Sequence, residues 1–224
     1  MGQEMNSGLA RHQVRESKGD RTRARILESA ERCFAAHGFA ETRLEDVAEE
    51  VGVRRAALFY HFKDKQALYD AVVADVFRDL LDGMGGVLFG SGSVPARIDR
   101  CIEVWVDAVG VRPSLARFML REAAGADPGA IRPLAERGAE FLDRGRRLFE
   151  EGVRTGVLRP VRSDSFHVIS AVVGSTVFYV AALGSLLPSM RFDPLEPVEL
   201  AAHKRDVLAT VHLLLGYETV AEPD

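Results

Sequence analysis

The sequence is poor in cysteine, which excludes a disulfide-stapled secreted scaffold. Its 224 residues contain only Cys33 and Cys101, which lie far apart and belong to no motif. Such usage is typical of a reducing cytoplasm. The first twenty residues also lack the apolar segment of a signal peptide. We therefore expect a cytoplasmic protein.

Signatures of catalysis, cofactor binding and metal binding are missing as well. No nucleophile elbow, phosphate loop or dinucleotide fingerprint occurs. His167, His203 and His212 have no ligand spacing such as His-x-x-x-His, so surface or interface histidines are favoured over a metal site. Glu49–Glu50 and Glu150–Glu151 are sequence neighbours that point to different sides of a helix, not catalytic pairs. We expect no cofactor and no metal, and an enzyme is the weaker hypothesis.

An excess of positive charge is also absent, because the formal net charge is −4 at pH 7. Residues 21–65 nevertheless contain nine Arg and Lys against eight Asp and Glu, whereas residues 66–224 contain seventeen against twenty-two. A general attraction of the whole chain to nucleic acid is therefore excluded. Only a local basic surface in the first third of the chain could meet DNA.

One long apolar run is present, residues 168–187 with the sequence VISAVVGSTVFYVAALGSLL. Its length is about that of a membrane span. It contains Ser170, Ser175 and Thr176 and has no cationic flank on either side. A core or subunit-interface helix is therefore preferred to a membrane helix, and no membrane partner is expected.

The apolar residues recur at helical spacing, and no segment alternates with the period of two that is typical of a strand. Pro, Ser and Gly mark the limits of about nine predicted helices. These cover residues 22–38, 44–52, 54–62, 65–88, 94–111, 113–124, 129–155, 163–187 and 197–217. The prediction is an all-α fold of one or two domains, preceded by a polar disordered tail over residues 1–19.

The first three predicted helices have the spacing of a helix-turn-helix. Ala48 is small where the second and third helices would cross, Gly52 lies four residues later in the turn, and Leu58 follows six residues after that as a core contact. Val47, Val51 and Phe62 complete the same apolar face. The third helix would then enter a major groove with its N-terminal residues leading.

The third predicted helix carries the side chains best suited to DNA. Arg54 and Arg55 stand at its start, and arginine is the best side chain for a bidentate contact to guanine. Residues suited to phosphate contacts follow at its far end, namely Tyr60, His61, Lys63 and Lys65. A helical corner with a solvated basic face is the alternative that this pattern leaves open.

Residues 21–73 resemble the DNA-binding domain of the TetR family of transcriptional repressors. The resemblance is carried by AERCFAAHGFAETRLEDVAEEVGVRRAALFYHFKDKQAL, residues 30–68. This stretch contains the family's Phe-x-x-x-Gly-Phe turn, a Thr before the second helix, Asp-Val-Ala, Gly-Val and Leu-Phe-x-His-Phe-x-x-Lys-x-x-Leu. Elsewhere the likeness is limited to length, helix count and the Gly-Val-Leu-Arg turn of residues 156–159.

The resemblance implies a three-helix DNA-binding domain over residues 20–80 and an effector-binding and dimerisation domain over residues 81–224. The expected function is that of a sequence-specific DNA-binding transcriptional regulator. A repressor released from its operator by a small apolar or amphipathic effector is the expected form, with activation left open. The implied partners are a palindromic operator in double-stranded DNA and a second copy of the chain. A helical ligand-binding or scaffolding protein without DNA binding is the alternative.

The sequence departs from the family pattern around the two recognition elements. Arg43 and Arg54 stand where the family usually has Ser or Thr, and arginine cannot supply a side-chain cap worth roughly 1 kcal/mol. Thr42 is expected to cap the second helix instead. Ala56 and Ala57 replace the family's early Gly and Thr, so base reading should rely on arginine and on alanine–thymine methyl contacts. All five residues belong to the predicted DNA-contact set.

The resemblance also implies an effector pocket among the middle helices. The candidates are aromatic and methionine side chains, namely Trp105, Phe118, Met119, Phe141, Phe149, Phe178 and Tyr179. The scarcity of polar residues among them favours an apolar or amphipathic effector.

Family members dimerise through their last two helices, and the eighth predicted helix suits this role. It is apolar around its whole circumference, and a partner subunit is an economical cover for its second face. The predicted interface comprises Ala171, Gly174, Ser175, Phe178, Ala182, Val207, Val211 and Leu214. Core contacts within one subunit are the alternative for these side chains.

Overall fold

The computed structural model describes residues 17–88, 90–125, 132–162, 164–189 and 192–218. Within these ranges the chain forms nine helices and no strand, so the predicted all-α fold is confirmed. The helices are α1 Lys18–Glu41, α2 Leu44–Val51, α3 Arg55–His61, α4 Lys65–Leu88, α5 Val94–Val111, α6 Ser114–Gly125, α7 Arg132–Thr155, α8 Phe166–Leu186 and α9 Pro197–Leu215.

Helix α1 begins at Lys18, one residue before the predicted end of the N-terminal tail, because the chain supplies a capping box there. The Asp20 amide donates to Ser17 Oγ at 3.1 Å, and the Ser17 amide donates to the Asp20 carboxylate at 3.1 Å. This reciprocal pair satisfies amides that a helix start leaves unpaired. Residues 1–16 of the predicted tail lie outside the described residues.

Helix α1 bends where the sequence predicts a helix end. Gly38 has φ 81° and ψ 175°, a conformation that favours glycine. Phe34 and Phe39 lie on either side of the bend, and each meets Tyr69 of α4 edge-on, with centroids 5.0 and 5.1 Å away. The bend therefore fixes α1 against the start of α4.

Helix α4 takes part in both halves of the molecule. Its first turns bury Leu68 and Tyr69, and Tyr69 lies against α1. Further along, Phe77 and Leu80 face a cavity that α5 and α7 share. The predicted domain boundary after residue 80 falls inside α4, so one rigid element connects the two proposed domains.

Helix α8 is continuous but contains two π-helical segments, Ser170–Gly174 and Tyr179–Leu183. Hydroxyl groups beside the first segment bond to the preceding turn, since Thr176 Oγ1 donates to the Val172 carbonyl at 2.9 Å. Among the described residues, α8 is the one helix long and apolar enough to cross a membrane, with mean hydropathy 1.8 and 22% of that window buried. A core or subunit-interface helix has the same length and composition.

Candidate DNA interface, effector cavity and subunit contact

Helices α2 and α3 form the predicted helix-turn-helix, and glycine makes the turn possible. Gly52 has φ 73° and its amide donates to the Glu49 carbonyl at 3.0 Å, which ends α2. The Val53 amide then donates to the Ala48 carbonyl at 2.9 Å. Leu58 of α3 is fully buried, so α3 is held with its opposite face outward.

Helix α1 holds this motif through charged side chains. Arg25 Nη2 donates to the Val51 carbonyl at 2.6 Å, where α2 ends. Ser29 donates to the Glu50 carboxylate at 2.7 Å, and Arg32 donates to it at 2.6 Å. The hydrogen bond from Ser29, followed by that from Arg32, lowers the pKa of Glu50. The carboxylate is therefore charged at neutral pH and fixes α2 on α1.

The outer face of α3 presents two arginines and an aromatic side chain to solvent. Arg54, Arg55 and Ala56 are exposed, and Tyr60 is 85% exposed. Arg55 forms a salt bridge with Glu45 at 2.7 Å, and its guanidinium lies over the Phe59 ring at 5.3 Å. An intramolecular carboxylate therefore holds Arg55 in place on the exposed face.

The remaining predicted contacts surround this face. Arg43 and Lys63 are exposed, while Ala57 and His61 are half-buried, with the His61 ring 5.2 Å from that of Tyr60. Neither Arg43 nor Arg54 makes a side-chain cap, as the departure from the family pattern predicts. Whether these side chains contact DNA stays a prediction.

Two predicted DNA contacts use their polar atoms within the fold, and the cap predicted for Thr42 on α2 is wrong. Thr42 is buried and its hydroxyl donates to the Gly38 carbonyl at 2.7 Å, so it closes the end of α1 and does not cap α2. Lys65 Nζ donates to the Ala40 carbonyl at 3.0 Å and lies 4.7 Å from the centre of the Phe39 ring. Lys65 therefore ties α4 to the end of α1.

An apolar cavity of about 430 Å³ lies among α4, α5, α6, α7 and α8. Four predicted effector contacts are on its wall, namely Trp105, Met119, Phe141 and Phe149. No charged side chain lies on the described wall, whose exposed surface is almost wholly apolar. Burial raises the pKa of Cys101 to about 11, so its thiol is uncharged at neutral pH.

Three predicted effector contacts lie away from the cavity. Phe118 is buried on the side of α6 that faces α4, with its ring 6.0 Å from that of Tyr69. Phe178 is 48% exposed on the outside of α8. Tyr179 stacks on His203 at 4.1 Å and donates to the Glu199 carbonyl at 3.3 Å. Successive helical residues point about 100° apart, which explains why Met119 reaches the wall and its neighbour does not.

A polar junction that sequence reasoning missed joins α1 and α4 to the α5–α6 connection. Arg112 donates to the Glu31 carboxylate at 2.9 Å and to the Asp75 carboxylate at 2.8 Å. Ser114 also donates to Glu31, at 2.5 Å. Burial by itself raises the pKa of Glu31, but the hydrogen bonds from Arg112 and Ser114 outweigh it and the pKa is lowered. The Arg112 guanidinium therefore connects the end of α5 to both α1 and α4.

A second link runs from α6 to the bend of α1. Arg121 Nε donates to the Ala35 carbonyl at 3.2 Å, and its Nη2 donates to the Ala36 carbonyl at 2.5 Å. These carbonyls lie one turn before Gly38. Movement of α6 would therefore act on α1 next to its bend.

The outer faces of α8 and α9 form an exposed apolar surface. From the predicted interface, Gly174, Ser175 and Phe178 are exposed, whereas Ala171, Ala182 and Leu214 are half-buried. Val207 and Val211 are buried within the subunit, so their prediction as interface residues is wrong. The apolar stripe of α9 to which they belong therefore faces the core of the subunit. Leu213 of the same helix is 78% exposed and points outward.

The three histidines considered as metal ligands each have a separate partner. His167 lies 2.9 Å from Asp164, His203 lies 3.1 Å from Thr176, and His212 lies 2.8 Å from Asp99. Across the described parts of the chain, no three His, Cys, Asp or Glu side chains converge as in a metal site.

Comparisons with known proteins agree with this geometry. The family model for bacterial regulatory proteins, tetR family, matches residues 26–72, from α1 into α4. A transcriptional repressor of Mycobacterium tuberculosis is 32% identical over 124 residues, which are 53% of this chain and 59% of that relative. The transcriptional regulator RutR of Escherichia coli is 30% identical over 155 residues, 69% of this chain and 71% of RutR.

Solved structures share the fold over most of the chain. A tetR-family regulatory protein from Rhodococcus superposes with a TM-score of 0.68 at 18% identity, covering 89% of this chain and 98% of that one. FadR from Bacillus subtilis, solved in complex with stearoyl-CoA, gives a TM-score of 0.65 at 15% identity, with 87% and 99% covered.

Proposed function

This chain belongs to the TetR family of bacterial regulatory proteins, and on that premise we propose that it is a repressor that a small apolar or amphipathic effector releases from its operator. The family is one of transcriptional regulators, not of enzymes. The observation that carries the proposal is the exposed face of α3, on which Arg54 and Arg55 stand at the end that would lead into a major groove. A DNA-bound function also implies a location in the cytoplasm.

Recognition would combine base reading with contacts to the DNA backbone. Arg55 lies exposed on the recognition face, where it contacts Glu45 and Phe59. Arginine at this place suits guanine, and Ala56 suits a thymine methyl group. Arg43, Tyr60 and Lys63 surround the face and suit phosphates.

A homodimer is the second part of the proposal. The exposed apolar surface of α8 and α9 would be covered by the same surface of a second copy, which is the usual arrangement in a symmetric dimer. Two recognition helices related by a twofold axis would read a palindromic operator with half-sites about 34–36 Å apart.

Release by an effector is the third part. The cavity has the size and apolar wall of a small-molecule site, for which volumes of roughly 300–1,000 Å³ are usual. Bound stearoyl-CoA in the related FadR fold also supports a partly apolar effector. Arg112 and Arg121 join the helices around the cavity to α1, so a ligand that prefers one arrangement of α5 and α6 would bias the helix-turn-helix.

The experiment is to sequence the genomic DNA fragments that the purified protein retains, followed by mobility shifts at two salt concentrations. We expect a palindrome among the fragments and weaker binding at high salt. The doubly substituted Arg54→Ala, Arg55→Ala protein should lose the enrichment, while Arg117→Ala, an exposed arginine on α6, should keep it. Retention of random fragments by all three proteins would refute sequence-specific regulation.

A further inference from the structure

Two glycines of α7 face the effector cavity, and neither the backbone nor the packing requires them. Gly138 and Gly145 lie on the cavity wall, and a Cβ atom at either position would meet no atom within 4 Å. Neither residue has a positive φ. Glycine inside a helix is less favourable than alanine, because it loses more conformational freedom on folding. The effect of both glycines is to leave space in the cavity next to the backbone of α7.

A third glycine of the same helix shows the contrast. Gly152 follows Gly145 by seven residues, as Gly145 follows Gly138, so the three lie on nearly the same face of α7. A Cβ atom at Gly152 would come within 2.5 Å of Leu158 and 3.0 Å of Val94, so close packing explains this glycine. Gly138 and Gly145 have no such neighbour. Approach of a ligand to bare backbone is the other common use of glycine, and these two face the cavity.

The two glycines also define a direction for a bound molecule. Seven residues span about 10 Å along a helix axis. Phe141 and Leu142 lie between the glycines on the same wall, and Phe149 continues the wall beyond Gly145. A molecule of about that length can contact the backbone at both Gly138 and Gly145. A molecule of one ring can reach only one of them.

The rest of the wall determines the chemistry that the cavity accepts. Aliphatic side chains of α4, α5 and α8 also face the cavity, among them Leu80, Met84, Ile98, Ile102, Ile169 and Val172. The described wall has no charged side chain, and its exposed surface is almost wholly apolar. A hydroxyl group or a charge that leaves water for such a wall finds no partner, which is unfavourable. The wall therefore selects an uncharged molecule without hydrogen-bonding groups.

The neighbouring surface cleft offers no place for the charged end of an amphipathic molecule. It shares Leu88 and Leu148 with the cavity. Three arginines and three acidic side chains line the described cleft, namely Arg97, Arg144, Arg147, Glu140, Asp143 and Glu151. Two of the arginines form salt bridges with these acids, at 2.5 and 3.0 Å. An anionic end would compete with the carboxylates and a cationic end with the arginines.

From these observations we infer that the cavity takes an uncharged, elongated hydrocarbon, of two rings or the equivalent chain length, that lies along α7 over Gly138 and Gly145. The two glycines determine which length is accepted. The inference rests on the proposed function only in calling this hydrocarbon an effector. It narrows the apolar or amphipathic effector of that proposal to one without a polar end.

Three probes that share two linked rings test the chemistry on the unmodified protein. Biphenyl carries no polar group, 4-phenylphenol adds a hydroxyl group, and biphenyl-4-carboxylate adds a negative charge. Calorimetry should give 4-phenylphenol a Kd about tenfold higher than that of biphenyl, because its hydroxyl finds no partner on the wall. Biphenyl-4-carboxylate should bind more weakly still. Binding of either polar probe as tight as that of biphenyl, or no binding of biphenyl, would overturn the inference.

Variants of the two glycines test the position. Gly138→Leu and Gly145→Leu each place a side chain in the cavity, so each should abolish biphenyl binding. Gly86 is an exposed glycine of α4 outside the cavity wall with the same free space, and Gly86→Leu should bind biphenyl normally. Leucine is the better helix former, so none of the three variants should unfold at a lower temperature than the unmodified protein. Biphenyl binding unaffected by either cavity substitution would overturn the inference.

A one-ring probe tests the length. Toluene should still bind to both Gly138→Leu and Gly145→Leu, because each leucine occupies one end of the proposed contact and leaves the other end free. Saturation-transfer NMR detects such weak binding. Loss of toluene from both variants would overturn the role of the two glycines in selecting length. The comparison of the three two-ring probes uses the unmodified protein and therefore decides the chemistry whatever the stability of the variants.

The outcome separates the two proposals. If biphenyl binds as expected and the protein retains no specific DNA, the proposed function fails and the ligand class stands. If specific DNA is retained and the polar probes bind as tightly as biphenyl, the ligand class fails and the regulator stands.

Discussion

Arg55 is the candidate base-reading side chain on the exposed face of α3. Its guanidinium is exposed and held by Glu45 at 2.7 Å. We expect Arg55→Ala to relax discrimination at one base pair by roughly 1–3 kcal/mol. Glu45→Gln should instead strengthen binding to all sequences, because it removes a negative charge that faces the phosphates. Competition mobility shifts against single-base operator variants measure both effects, with Arg117→Ala as the control.

An equal loss of affinity for every operator variant would mean that Arg55 contacts only phosphate. Weaker binding by Glu45→Gln would mean that the carboxylate mainly orients Arg55. The two substitutions therefore separate reading of a base from attraction to the backbone.

Lys65 and Lys63 form a matched pair two residues apart. The ammonium of Lys65 bonds to the Ala40 carbonyl at 3.0 Å, whereas Lys63 is exposed. We expect Lys63→Met to make the slope of log affinity against log salt shallower by about one unit and to leave stability unchanged. Lys65→Met should leave the slope unchanged and lower the free energy of unfolding by about 1 kcal/mol. A shallower slope for Lys65→Met would restore Lys65 as a phosphate contact.

His203 makes the stability of the subunit depend on pH. Thr176 gives its proton to the Val172 carbonyl, so His203 donates to Thr176 as a neutral ring. Burial lowers the pKa of His203. As the pH falls, the unfolded chain therefore becomes protonated at His203 before the folded chain does. The contribution of neutral His203 to stability is full above the unfolded pKa of about 6.5 and decreases as the pH falls below it.

His203→Phe removes this titration and keeps a ring against Tyr179. Denaturant unfolding from about pH 7 to about pH 5 should therefore show a smaller loss of stability for the variant than for the unmodified protein. Parallel curves for the two proteins would show that His203 is protonated equally in both states.

At the scale of elements, Arg112 is the connection between the end of α5 and the DNA-binding helices. Arg112→Met leaves Glu31 without its cation and Asp75 with Arg78 alone. It should lower the free energy of unfolding by about 3 kcal/mol, as when a buried pair loses one partner. We also expect the coupling between ligand and DNA to shrink, because the polar link from the end of α5 to α1 and α4 is then lost. Glu31→Gln, which keeps a hydrogen-bonding amide, should have the smaller effect on both.

The coupling is measured by titrating an apolar ligand of the cavity with and without operator DNA. Linkage requires DNA to weaken ligand binding by the same factor by which the ligand weakens DNA binding. A coupling free energy of about 1–3 kcal/mol is usual. Equal coupling in the unmodified protein and Arg112→Met would assign the communication to another contact, of which Arg121 is the next candidate.

The same elements show what the sequence can and cannot predict. Helix limits were predictable because Gly52, Ser93 and Pro197 act locally, through φ or through capping. Arg112 and Glu31 are 81 positions apart, and their meeting depends on the fold as a whole. Lys65 fits the family pattern, but only the position of the Ala40 carbonyl shows that it serves the fold.

The sequence predicts less well which faces of α8 and α9 point outward, because this also depends on the fold as a whole. Val207 and Val211 form an apolar stripe, and a stripe is equally suited to the core and to a partner. Their burial within the subunit assigns them to the core. The exposed Phe178 was predicted for both the interface and the cavity, and the structure leaves only the first.

At the scale of the whole molecule, the exposed surface of α8 and α9 decides whether two recognition helices act together. Gly174 lies on that surface, and a side chain there would meet no atom within 4 Å of the same subunit. Gly174→Arg should therefore fold normally and place a charge at the centre of the proposed contact. We expect sedimentation to show a dimer for the unmodified protein at micromolar concentration and a monomer for the variant. Gly86→Arg, the same change at an exposed glycine of α4, should remain a dimer.

The consequence for DNA distinguishes loss of the dimer from damage to the recognition helix. A Gly174→Arg monomer keeps α2 and α3 intact, so its affinity for a single half-site should equal that of the unmodified protein. Its affinity for the full palindrome should fall, because the second half-site no longer binds as part of the same complex. A dimeric variant, or a monomeric unmodified protein, would contradict the interface. Equal losses on the half-site and on the palindrome would show that the substitution acts within the subunit instead.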